Sequence, residues 1–180
     1  MHGAQITNLA DVRTYLFAGR ATLTLVSKKT GSRFTYRVSV PDSQRDAPKI
    51  YFVNLLTGSD NESAYTYIGQ IFSDGTHYVH GKKSRISVDA PGVRAFEWFA
   101  RMLLSPASPG LPDSLEIWHE GKCGRCGRKL TVPESIERGI GPECADKMGM
   151  SWTGTQKKHN SVNARVSRPF SDDLPTNLQF

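Results

Sequence analysis

A chain of 180 residues has room for one ordinary domain with a small satellite and a tail, and excludes two large domains. Its hydrophobic fraction of 38% supports a core if part of the chain stays outside it, and no apolar run approaches the roughly 18–20 residues that cross a bilayer. A net charge of +6 with a pI near 9.3 favours a polyanion or an acidic surface as partner, because net charge speaks to association and not to fold.

Thr7 to Phe17 carries Leu9, Val12, Leu16 and Phe17 near one helical face, with Gly19 as a stop, and predicts a short opening helix. Asp11 and Arg13 interrupt this first segment where a secretory leader is apolar, so the sequence predicts a cytoplasmic protein with no membrane partner. Ala21–Ser27 and Arg33–Val40 alternate at period two around a Lys-Lys-Thr-Gly-Ser turn, the pattern of a β-hairpin. Lys49–Leu56 is rich in strand formers. Ala64–Phe72 and Thr76–His80 predict a second hairpin turning at Ser73-Asp74-Gly75. Asp89 as N-cap and Pro91 in the first turn begin a helix whose stripe of Val93, Phe96, Phe99, Ala100 and Leu103 suits a sheet face. Three prolines and a glycine in Ser105–Pro112 mark a linker. The reading is α+β: an antiparallel sheet of about five strands with an N-terminal and a covering helix over 1–104, a linker over 105–113, a metal-binding unit over 114–149, and a loose tail over 150–180.

Three cysteines are too few for a secreted disulfide framework and leave one thiol over. Their spacing is that of a metal site. Cys123 and Cys126 flank a Gly-Arg pair and are followed by Gly127, a knuckle that points two sulfurs at one ion. Cys144 follows after 17 residues in Gly-Ile-Gly-Pro-Glu-Cys, on the first turn of a short helix ending near Met148. Position 147, one turn later, is lysine, which does not ligate while protonated. His119, on the strand Leu115–Glu120 with three residues between it and Cys123, is the candidate fourth ligand, ahead of Asp146, His159 or a group from a partner. A Cys3His set holds Zn2+ tetrahedrally with no open position, which makes it structural.

The run from Gly121 to Cys144, with Cys-Gly-Arg-Cys-Gly-Arg and Gly-Ile-Gly-Pro-Glu-Cys, resembles a small zinc-binding domain of unknown function found in bacteriophage and mobile-element proteins. The segment carrying Ser27–Tyr36 and Leu56–Asn61 resembles what precedes that domain in phage proteins. The spacing makes this a treble-clef-like unit; the resemblance implies a zinc-bound cysteine cluster, a mobile-element origin and a bacterial host cytoplasm, and it supplies no activity.

Three clusters of cations are candidate partner surfaces: Lys28, Lys29, Arg33 and Arg37 on the first hairpin, Lys82, Lys83 and Arg85 after the last predicted strand, and Arg125, Arg128 and Lys129 around the knuckle. Beside aromatics such as Tyr65 and Tyr67, such cations hold phosphates and stack bases. Enzyme motifs do not assemble. His77 and His80 leave opposite faces of a strand. Gly75–Ser84 has the wrong spacing for a phosphate loop. Asp42, Asp46, Asp60 and Glu62 fall in loops, and the zinc takes the thiols. The expectation is a non-enzymatic protein that binds nucleic acid or a nucleoprotein complex, with a phage inhibitor of a bacterial defence protein, of the anti-CRISPR type, as the alternative.

Overall fold

Alternation at period two builds the centre of the molecule. The computed structural model describes residues 4–44, 46–48, 50–72 and 77–150. Strands β1 (Ala4–Gln5), β2 (Arg20–Ser27), β3 (Arg33–Ser39), β4 (Ile50–Leu56), β5 (Tyr65–Phe72), β6 (Tyr78–His80) and β7 (Leu115–His119) form one sheet in the order β1-β7-β2-β3-β4-β5-β6. All its pairings are antiparallel. One face carries Leu23, Leu25, Tyr36, Val38, Val53, Ile71, Leu115 and Ile117, each no more than 5% exposed. Helix α1 (Leu9–Leu16) and helix α2 (Pro91–Leu104) supply Val12, Tyr15, Leu16, Phe96, Phe99 and Leu103 to the same core.

Helix α2 is held by more than its apolar stripe. The Tyr36 hydroxyl donates to the Gly92 carbonyl at 2.7 Å, and the Tyr36 ring lies 4.9 Å from that of Phe96. At the other end, Arg13 on α1 donates to the carbonyls of Leu103 and Ser105 at 2.7 and 3.1 Å, satisfying acceptors that the end of α2 leaves open. The N-cap of α2 is Ala90, with no side-chain cap, and not Asp89, whose carboxylate sits 3.8 Å from Arg94 instead. On α1 the cap is Asn8, whose side chain accepts from the Asp11 amide at 2.8 Å.

The sheet has seven strands, not five. The two additional ones are β1, whose two residues are too short to carry a period, and β7, which residues 114–149 contribute. β7 lies between β1 and β2, with Leu25 opposite Ile117 and Leu23 opposite His119. The proline-rich segment after α2 carries the chain from the β6 end of the sheet to the second position from the β1 edge, where the Lys28 amide donates to the Ser114 carbonyl at 2.8 Å. Helices α3 (Pro133–Arg138) and α4 (Pro142–Lys147) follow; the sequence reading anticipated α4 but not α3. The Ser73-Asp74-Gly75 turn and residues 151–180 of the expected tail lie outside the described residues.

Candidate functional site

The knuckle is an antiparallel turn closed by its own backbone. Lys122 bridges Lys129, the Cys123 amide donates to the Arg128 carbonyl, and the Gly127 amide donates to the Cys123 carbonyl, both at 2.8 Å. Gly127 takes φ 77°, a left-handed value that favours glycine and turns the chain after Cys126. Cys144 lies in the first turn of α4, whose proline at the start and glycine cap fix its direction. The Sγ atoms of Cys123, Cys126 and Cys144 lie within 4.8 Å of one another, and no other group of three or more His, Cys, Asp or Glu is so placed among the described residues.

Three cysteines so close can hold a metal ion. Three sulfurs around one zinc stand about 3.8 Å apart at ordinary Zn–S lengths, so little movement is needed. The electrostatics agree. Burial raises the Cys144 thiol to about 12, with the neighbouring Cys126 and Cys123 opposing its ionisation further. Burial also opposes the Cys123 thiolate, but amide donors, Gly141 at 3.5 Å among them, outweigh it and lower that pKa. A cation among the sulfurs relieves this mutual opposition.

The structure does not bring His119 to the cysteines. As the third inward residue of β7 after Leu115 and Ile117, it is 2% exposed and faces the core. Its Nδ1 accepts from the Gly121 amide at 3.1 Å, and its Nε2 lies 2.6 Å from the Ile136 carbonyl, which fixes a neutral ring protonated at Nε2. Burial lowers its pKa, opposed by the Ile136 carbonyl and by Glu120. Both nitrogens are therefore taken up by backbone groups. Asp146 is exposed and outside the cysteine group, and His159 lies outside the described residues.

Tyr15, which no motif marked, fastens the knuckle to the sheet. The β7 pairing of β2 ends at Leu23, so the backbone of Thr22 has no strand partner on that side. The Tyr15 hydroxyl takes that place, donating to the Thr22 carbonyl at 3.0 Å and accepting from the Thr22 amide at 3.2 Å. Its ring lies 5.1 Å from His119 and fills the space that side chains at Gly124 and Gly139 would need. The Gly124 carbonyl then accepts from the Arg20 amide at 2.6 Å and its amide donates to Gly139 at 2.9 Å.

The three cation clusters fare differently. Around the knuckle, Arg125 pairs with Asp46 at 2.6 Å and Arg128 with Glu143 at 3.5 Å, while Lys129 is exposed. These acids, with Asp42 and Lys147, line a cleft of about 380 Å³ beside Cys126 and Cys144. Lys82, Lys83 and Arg85 are exposed in the segment after the edge strand β6. On the first hairpin, Lys28 lies 3.7 Å from Glu116 and Lys29 is exposed in the turn. Arg33 and Arg37 stand on the sheet face opposite the core, as the alternation with Tyr36 and Val38 requires.

That outer face has a definite composition. One row across the sheet runs Thr22, Arg37, Asn54 and Tyr67; the next runs Ser39, Phe52, Gln70 and Val79; a third joins Arg33 to Val26 and Glu116, and a fourth joins Trp118 to Thr24 and Thr35. The Arg37 guanidinium lies 4.0 Å from the Tyr65 ring centroid. Phe52, in the middle of β4, is 36% exposed. Phe52 and Trp118 were not anticipated as surface aromatics, although period two placed both on this face.

Among the described residues, no helix is long and apolar enough to cross a membrane. No curated protein and no solved structure matches the chain. Residues 117–149, less than a fifth of the sequence, are similar to a family of unknown function, DUF6011; that stretch contains all three cysteines and ends just past α4.

Proposed function

We propose that this is a non-enzymatic protein that binds single-stranded nucleic acid on the outer face of its sheet, with a structural zinc ion at Cys123, Cys126 and Cys144 holding a treble-clef-like unit against β2. The observation that carries the reading is the composition of that face. Arg33 and Arg37, the amides Asn54 and Gln70, and the rings of Phe52, Tyr65, Tyr67 and Trp118 share one side of an antiparallel sheet whose other side is core. Cations meet phosphates, rings stack on bases, and an extended sheet face suits splayed single strands better than a duplex groove. Arg37, held over Tyr65 and donating to the Glu62 carbonyl at 3.2 Å, is oriented in advance of any ligand. The knuckle cations contribute less, since Arg125 and Arg128 each face a carboxylate. The resemblance of the knuckle to mobile-element domains fits such a role.

Ultraviolet cross-linking of the full chain to a labelled single-stranded oligonucleotide, followed by peptide mapping, tests the assignment. Adducts are expected on peptides carrying Phe52, Tyr65, Tyr67 or Trp118. Adducts confined to residues 122–129, or none at a concentration where binding is saturated, would overturn it.

A further inference from the structure

Among the described residues, the cysteine site offers fewer donors than a closed structural centre. Tetrahedral zinc needs four donors, and the described residues bring together three. The imidazole of His119, the candidate the sequence favoured, has both nitrogens engaged by Gly121 and Ile136. The carboxylates beside the cysteines are engaged as well: Asp46 by Arg125 at 2.6 Å, Asp42 by Arg20 through both oxygens at 2.9 Å, and Glu143 by Arg128 at 3.5 Å. For each, the guanidinium competes with an ion for the carboxylate. The position one helical turn after Cys144, from which a fourth ligand could reach the ion, holds Lys147, which lines the same cleft.

We propose that the fourth coordination position of the metal opens into this cleft and is filled by an exchangeable small ligand, water at rest and a thiolate or other small anion when one is present. The inference rests on the metal reading above and deepens it: the site binds as well as braces. The cleft, at about 380 Å³, admits such a ligand beside Cys126 and Cys144. Three thiolates already exceed the charge of a divalent ion, so a fourth anion needs compensation. Lys147, which lines the cleft and makes no ion pair among the described residues, supplies it.

Cobalt(II) in place of zinc gives a visible ligand-field spectrum that reports its donors. The full chain loaded with cobalt is titrated with 2-mercaptoethanol, and retention of the metal is checked by desalting. The expected result is a saturable shift of the ligand-field bands with cobalt retained. The sulfur-to-cobalt charge-transfer absorption should rise by about one third as three thiolates become four. Lys147→Cys, which would supply a fourth thiolate from the chain, is expected to show the higher absorption at the outset and no response to added thiol. His119→Ala should leave the cobalt spectrum of the unliganded protein unchanged. A wild-type spectrum that ignores thiol, or one that changes with His119→Ala, would overturn the open position while leaving the metal reading intact. Failure of the wild-type chain to bind cobalt or zinc at all would instead remove the metal reading, and the open position with it.

Discussion

Replacing Gly139 with alanine should separate the docking of the knuckle from the strain of its turns. Gly139 follows α3 at φ 70°, and an added Cβ would overlap Cδ2 of Tyr15 and stand 2.8 Å from its Cε2. Tyr15 is 1% exposed, its hydroxyl is bonded to both backbone groups of Thr22, and its ring rests against His119, so it has nowhere to turn. Left-handed backbone costs about 1 kcal/mol for a residue with a Cβ, and overpacking a filled core costs about 1–3 kcal/mol more. The expected loss is then about 2–4 kcal/mol, or roughly 5–15 °C in Tm for a chain of this size. Gly31 is the control: φ is 71°, but nothing lies within 4 Å of its added Cβ, so Gly31→Ala should cost only about 1 kcal/mol. Equilibrium urea unfolding of both variants, with zinc in excess and tryptophan fluorescence as the signal, provides the comparison. Equal losses for the two substitutions would refute Tyr15 as the wedge between sheet and knuckle.

Cys126→Ser should abolish metal binding and lower the melting temperature of the whole fold in one transition, because β7 lies inside the sheet and Cys123 packs in its core; a sheet that melts unchanged in calorimetry would contradict this. His119 should titrate below its ordinary value of 6.5, since burial disfavours the imidazolium. A depressed histidine pKa means that the folded state binds fewer protons than the unfolded one, so this contribution to stability is full above about 6.5 and fades as pH falls through the lower, folded value. Nitrogen NMR should find the proton on Nε2 at neutral pH, and a midpoint at or above 6.5, or a proton on Nδ1, would contradict the assignment.

Local pattern made much of this fold legible. The apolar spacing of α1 and α2, the alternation of β2 through β6 and the proline and glycine that frame α4 each act within a few residues of where they are read. Long-range pairing has no such local mark, so nothing in Leu115–His119 announced that it would enter the sheet between β1 and β2. Helix α3 did carry a signal, Pro133 at its start and Gly139 at its end, in a segment whose length hid it. The cysteines were legible because the spacing that lets three thiols share one ion is itself a local pattern. His119 misled, since spacing along the chain says nothing of ring direction; its alternation with Leu115 and Ile117 already placed it on the core side. Tyr15 was not legible at all, because its partners, Thr22, Gly124 and Gly139, meet only in the folded chain.

The measurement that bears most directly on the proposed function is fluorescence anisotropy of a labelled single-stranded oligonucleotide against the zinc-loaded chain over a range of salt, for the wild type and for Arg33→Gln/Arg37→Gln. The account predicts binding at low salt whose log–log salt dependence has a slope of about 0.7 per phosphate neutralised, reduced by about 1–2 in the double variant, with affinity for different sequences lowered alike. No binding at about 50 mM salt, or binding whose slope the double substitution leaves unchanged, would contradict it.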